Sequence, residues 1–234
     1  MVPNLKSFAS LFLLLCICIQ VLAIESLGLT RDKLDEENKG ISYSSIIEFE
    51  EDTKSFENKT INGICKDAYD QMFEKANSDG IGKDKRPGVM TALAIGKRIY
   101  LASSIKKDKG YWYKYDDTWA NAPQPLIDGL EECQREEGGQ RHRTEASCGE
   151  PNTIGLFYDY NKDTADVTKE GGRITTWGRK PPGWDNIYRD PCTEENKWGC
   201  RKLTTHFNLE VVSKTDPEDV KKKFSVLANP RRKC

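Results

Sequence analysis

The run from Pro87 to Ile95 constrains the fold more than any other stretch, because Val89, Met90, Ala92, Leu93 and Ile95 make it apolar on both faces that a β-strand presents. A second β-rich run follows from Ile99 to Ile105, joined to the first through Gly96-Lys97-Arg98, so the pair reads as a hairpin in the centre of a sheet. A strand buried on both sides needs one covering layer above and another below. The expected fold class is therefore α/β, a three-layer α/β/α sandwich around a mixed sheet.

The remaining elements are read around that hairpin. Residues 24–61 are charged with few regular apolar spacings and read as an exposed N-terminal extension. From Ile64 the pattern becomes helical, with Cys65, Ala68, Tyr69, Met72, Phe73 and Ala76 on one face, a core stripe, and Asp79-Gly80 as a stop. This opens a single domain over residues 62–228, interrupted by an insertion at 106–145. The insertion carries Tyr111-Trp112-Tyr113-Lys114-Tyr115 and Trp119, aromatic residues that serve equally for packing or for stacking on nucleobases, and then a short helix over Pro125–Glu137. Thr153 to Tyr158 reads as a buried helix, residues 159–172 as a loop, and Arg173 to Trp177 as a strand broken by Pro181-Pro182-Gly183. Arg201 to Phe207 follows as a short helix and Leu209 to Val212 as a strand. Asp216-Pro217-Glu218 is a helix start, predicting a last helix with Val220, Phe224 and Leu227 on one face before a basic tail at 229–234.

Lys6, the nine apolar residues from Leu11 to Ile19, and Val21-Leu22-Ala23 read as a secretory signal peptide over residues 1–23. The expected product is secreted, with no membrane segment after cleavage, and Asn58-Lys59-Thr60 is a glycosylation sequon suited to a surface loop. The chain has 36 basic against 37 acidic residues; losing the leader removes Lys6 and no acid, so no electrostatic partner such as a coated nucleic acid is implied. A monomer is expected. Of eight cysteines, Cys65, Cys133, Cys148, Cys192, Cys200 and Cys234 remain, an even set that three disulfides would satisfy in an oxidising compartment.

The chemistry concentrates at Ser147-Cys148-Gly149-Glu150 and, further on, Pro191-Cys192 and Gly199-Cys200. A Cys two residues before a Glu, followed by Pro-Cys and another Cys, resembles the zinc signature of the cytidine-deaminase-like superfamily, in particular its divergent secreted, toxin-like members. The resemblance covers roughly residues 62–228 and implies a cytidine-deaminase-like fold with a Zn2+ ion held by Cys148, Cys192 and Cys200 as thiolates. It implies Glu150 as the acid/base and a nucleobase-containing substrate, and it leaves Cys65, Cys133 and Cys234 as an odd set for disulfides. The chain departs from the family pattern in two places. Seven residues separate Cys192 from Cys200 where the family usually has two, and Pro151 directly follows Glu150.

Each residue has a plainer alternative. Cys192 and Cys200 can be joined in a local disulfide, and Ser147-x-x-Glu150 fits a capping box in which Glu150 only closes a helix end. Of the two histidines, His142 lies between Arg141 and Arg143 as in a surface basic turn, and His206 falls at the end of a short helix. The chain then reads instead as a disulfide-stabilised interaction protein without catalysis. A third alternative is a secreted ribonuclease using Glu and His as acid and base.

Overall fold

In a computed structural model of the chain, residues 26–32, 40–106, 122–162, 165–180, 185–193, 197–219 and 222–231 are described. The central hairpin forms from Val89–Ile95 (β3) and Arg98–Ser103 (β4), preceded by Thr30–Arg31 (β1) and Tyr43–Phe49 (β2) and followed by Arg173–Lys180 (β5), Asp185–Tyr188 (β6), Glu210–Val211 (β7) and Phe224–Val226 (β8). The helices are Asn58–Ser78 (α1), Gln124–Glu136 (α2), Gly149–Asn161 (α3), Val167–Glu170 (α4) and Cys200–His206 (α5). The strands make one sheet in the order β1-β2-β4-β3-β5-β6, with β8 also on β2 and β7 also on β5. The sheet is mixed: β7 runs parallel to β5, and the other pairings are antiparallel.

The double-sided apolar run behaves as its composition requires. Met90, Ala92 and Ala94 of β3 pack with Ile61, Ile64, Ala68 and Met72 of α1 on one face. Leu93 and Ile95 pack on the other with Leu126 and Leu130 of α2, Ile154 and Phe157 of α3, and Leu203 of α5. Helices thus cover both faces, and β3 and β4 lie inside the sheet as the hairpin pattern predicts.

Several expectations are corrected. The stretch read as an exposed N-terminal extension supplies β2, which lies between β4 and the pair β1 and β8, with Tyr43, Ile46 and Ile47 fully buried. Its strand character is masked in the sequence because Ser44, Ser45 and Glu48 interrupt the apolar letters. Ser44 and Ser45 are buried too, their hydroxyls donating to Asp32 and to the Leu27 carbonyl. The C-terminal helix expected after Asp216 does not hold at Phe224–Val226, which pairs antiparallel with Ile47–Phe49. There the open edge of β2 offers unpaired backbone groups, Leu227 N–H donates to the Ile46 carbonyl at 2.8 Å, and Phe224 packs on Phe49. The expected loop at 159–172 begins with the end of α3 and contains α4, and Pro181-Pro182-Gly183 lies outside the described residues.

The sequon lies in the first turn of α1, not in a loop, with Asn58 half-buried and its Oδ1 accepting from Arg173. The basic tail is docked at its start, where Arg231 reaches Asp159 and Asn152 on α3. Cys65 and Cys133 are buried free thiols in the cores on opposite faces of the sheet, so no bond joins them. The leader, the aromatic run at 111–119 and Cys234 lie outside the described residues. No helix among the described residues is long and apolar enough to cross a membrane.

Candidate metal centre

The first half of the centre is the start of α3. Cys148 is its N-cap residue, followed by Gly149, Glu150 and Pro151 as the first three helical positions. The first four N–H groups of a helix have no partner within it, so a proline at the third position removes no hydrogen bond. Gly149 lets this turn press onto the sheet: a Cβ there would stand 2.1 Å from Thr91 Oγ1 on β3. The capping-box alternative for Glu150 is not taken up, since the cap position is Cys148 and not Ser147, and the cap makes no side-chain bond. Glu150, only 4% exposed, instead turns its carboxylate to Thr176 of β5, whose Oγ1 donates to Oε1 at 3.3 Å and also meets Thr91 Oγ1 at 2.7 Å.

The second half is built from the segment at buried Pro191 and Cys192 and from the start of α5. Cys200 is the first residue of α5 and Gly199 its cap. A Cβ on Gly199 would lie 2.3 Å from the Cys192 carbonyl oxygen and 2.8 Å from its sulfur, so glycine is what permits the approach. The Cys200 N–H donates to Cys192 Sγ at 3.2 Å and the Arg201 N–H to the Cys192 carbonyl at 3.3 Å. The two cysteines thus meet although seven residues separate them in sequence. The sulfurs of Cys148 and Cys192 are 3.7 Å apart, and no disulfide links either of them or Cys200.

Two overlapping groups result, His142 with Cys192 and Cys200, and Cys148 with Glu150 and Cys200, each with its donor atoms within 4.8 Å of one another. All four residues selected from the sequence are therefore brought together. His142 is the residue the sequence reading missed: it is 2% exposed, with Nε2 at 3.6 Å from Cys200 Sγ. Its neighbours Arg141 and Arg143 are exposed, and their charge hides the inward turn of the ring. No local pattern marks it. His206 is exposed at the far end of α5, about 9 Å along the axis from Cys200, which separates it from this centre.

The charges in the cluster are unequally held. Hydrogen bonds from the Cys148 and Cys200 thiols keep the Cys192 thiol far below its usual range, while the Cys148 thiol is pushed up by its bond to Cys192 and the Cys200 thiol by burial. Burial, and then the charge on Cys192, raise the Glu150 carboxyl to about 7. This is a donor set able to hold a metal ion, with a carboxyl beside it.

An opening lies next to it. On the free side of β5, β6 ends with Tyr188 opposite Trp177 and β7 with Val211 opposite Ile174; Arg189 N–H still reaches the Thr176 carbonyl and Val212 N–H the Ile174 carbonyl, and a narrow split of the sheet edge is left at Thr175. Glu150, Thr176, Tyr188, Pro191, Val212 and Lys214 are among the residues that line a recess of about 10 Å³ there, room for one water molecule. Lys214 and Asp190, also on the lining, form an exposed ion pair at 2.7 Å. Comparisons with protein-family models, curated proteins and solved structures find no match for this chain, so the site rests on its own geometry.

Proposed function

We propose that the chain is a zinc-dependent hydrolytic deaminase of a nucleobase, nucleoside or nucleic acid, built as a cytidine-deaminase-like three-layer sandwich and exported as a toxin or effector. The observation that carries this is the convergence of Cys148, Cys192 and Cys200 with Glu150 at the first turns of α3 and α5. Three sulfur donors suit zinc over calcium or magnesium. With Zn–S bonds of about 2.3 Å in tetrahedral geometry, ligand sulfurs stand about 3.8 Å apart. The Cys148 and Cys192 sulfurs, at 3.7 Å, already have that spacing.

Zinc held by the three thiolates supplies Lewis acidity and lowers the pKa of water towards about 7. Glu150 would take the proton of the attacking water and pass it to the ring nitrogen, then take the hydroxyl proton of the tetrahedral adduct and give it to the departing amine, so that the products are the keto base and ammonia. Thr176 fixes one oxygen of that carboxylate, and the split in the sheet edge offers the route in. A base is far larger than the recess, so the β6 and β7 ends must part to admit it. Parting them would break the exposed Lys214–Asp190 pair, about 0–1 kcal/mol, and the bonds from Arg189 N–H to the Thr176 carbonyl and from Val212 N–H to the Ile174 carbonyl, about 0.5–1.5 kcal/mol each.

A second reading has a specific observation in its favour. With His142 Nε2 at 3.6 Å from Cys200 Sγ, a Cys3His site would be closed and purely structural. Metal content by native mass spectrometry and ammonia release from cytosine- and adenine-containing substrates test the proposal together. One zinc per chain is expected, with Glu150→Gln retaining it while activity falls about 10²–10⁴-fold. A natively folded chain without metal, or full activity in Glu150→Gln, would sink it.

A further inference from the structure

We infer that His142 is an N–H donor to the sulfur cluster and not a fourth metal ligand, so that the centre keeps one position open for chemistry. The inference rests on the metal reading above and decides between its two forms. The argument is one of hydrogen-bond polarity. His142 Nδ1 faces two backbone N–H groups, those of Thr144 and Ala146, each at 3.2 Å. Both are donors, so Nδ1 must present its lone pair to them. A neutral imidazole carries one N–H, which places the hydrogen on Nε2. Nε2 is the atom turned to Cys200 Sγ at 3.6 Å, and the ring has a nitrogen within 4.8 Å of the Cys192 sulfur. A nitrogen that carries hydrogen has no lone pair for a metal; it donates to a thiolate instead.

Histidines that ligate a metal ordinarily have the opposite arrangement, with the other ring N–H donating to a carboxylate or carbonyl. To ligate through Nε2, His142 would have to move its proton to Nδ1, where it would oppose two N–H donors in a buried place. Nor can the ring turn over easily. Trp198 packs edge-on against it at 4.8 Å and 85°, and Trp198 is itself tied by its Nε1 to the Gln140 carbonyl at 2.6 Å and by its own carbonyl to Arg143 N–H. The Thr144 hydroxyl, 2.9 Å from Cys148 Sγ and 3.3 Å from His142 Nδ1, has one hydrogen that either can accept. With Nε2–H, His142 is the side-chain donor that disperses thiolate charge at Cys200.

The test uses ¹⁵N-histidine NMR of the folded chain, without metal and loaded with zinc, together with metal titration of variants. The chain has two histidines, and His206→Gln assigns the signals. The expected result is protonated Nε2 and unprotonated Nδ1 for His142 in both states, with no coordination shift at Nε2 on loading. His142→Ala should bind one zinc still, about 10–100-fold more weakly, as for loss of a group behind a ligand. In cobalt-loaded protein, its thiolate charge-transfer intensity should be unchanged, whereas Cys148→Ser should lose about a third, one of three thiolates. A proton on Nδ1, or a coordination shift at Nε2, overturns the inference even where His142→Ala fails to fold. A chain that binds no metal while showing the Nε2–H tautomer defeats the metal reading and with it the open position, leaving His142 only as a donor to the thiols.

Discussion

At the scale of single residues, burial acts on Glu150 and on the core cysteines in one direction and with different consequences. Desolvation first, and then the charge of Cys192, bring the Glu150 carboxyl to about 7, so the metal-free fold is penalised when Glu150 is ionised. The folded pKa lies above the unfolded one, so the penalty is full above about pH 7. It is relieved as pH falls through that value towards the ordinary 4.5, and is gone where both states are protonated. Melting of chelated protein between pH 5.5 and 8 should show wild type gaining on the order of 2 kcal/mol relative to Glu150→Gln as pH is lowered. Equal pH dependence in the two proteins would refute this. Cys65 and Cys133, pushed by burial to about 12 and 11, stay protonated at pH 8. Brief treatment of the native metal-free chain with iodoacetamide should leave both unmodified and alkylate Cys192, as read by peptide mass. Cys148, Glu150, Cys192 and Cys200 were legible because their types and spacing carry a chemical signature. His142 was not, because its role is created by Trp198 and Cys200, which reach it only through tertiary structure.

At the scale of elements, the register of α3 on the sheet depends on one missing methyl group. A Cβ at position 149 would meet Thr91 Oγ1 at 2.1 Å and Thr91 Cβ at 2.9 Å, so the first turn of α3 would have to lift away from β3. Gly149→Ala should cost about 1–3 kcal/mol in denaturant unfolding, as overpacking does, and should weaken zinc binding because Cys148 and Glu150 flank the position. Unaltered affinity would show that the approach of helix to strand does not set the site. The hairpin was legible because it is apolar on both faces, one for each core, and α1 because its apolar stripe serves a single core. The strand at Phe224–Val226 was not, because the Asp-Pro-Glu signal is a local preference that tertiary contacts overrode. That signal segment is held elsewhere, with Glu218 N–H donating to the Lys59 carbonyl and Gly63 leaving room for the Glu218 backbone.

At the scale of the whole molecule, the N-terminal strand belongs to the same structure as the centre. β2 pairs with β4, β4 with β3 and β3 with β5, and Thr91 and Thr176 on the last two hold Gly149 and Glu150 in place. β2 also ties the far ends together, with Tyr43 Oη donating to Asp79 at the end of α1 and the Phe49 N–H donating to the Lys97 carbonyl in the turn of the hairpin. Removing it would expose the edge of β4, leave β8 without its partner, and uncover part of the core beneath α1. Tyr43, Ile46, Ile47 and Phe49 are each at most 3% exposed. At about 1.5–3 kcal/mol per buried side chain, these four contribute roughly 6–12 kcal/mol, comparable with the 5–15 kcal/mol by which a domain is stable at all. A chain starting at residue 58 should therefore show no cooperative thermal transition by circular dichroism and bind no zinc, whereas one starting at residue 26 should do both. If the shorter chain melted cooperatively and held metal, the exposed-arm reading of the sequence would be restored and the site would depend only on the sheet from β4 onwards.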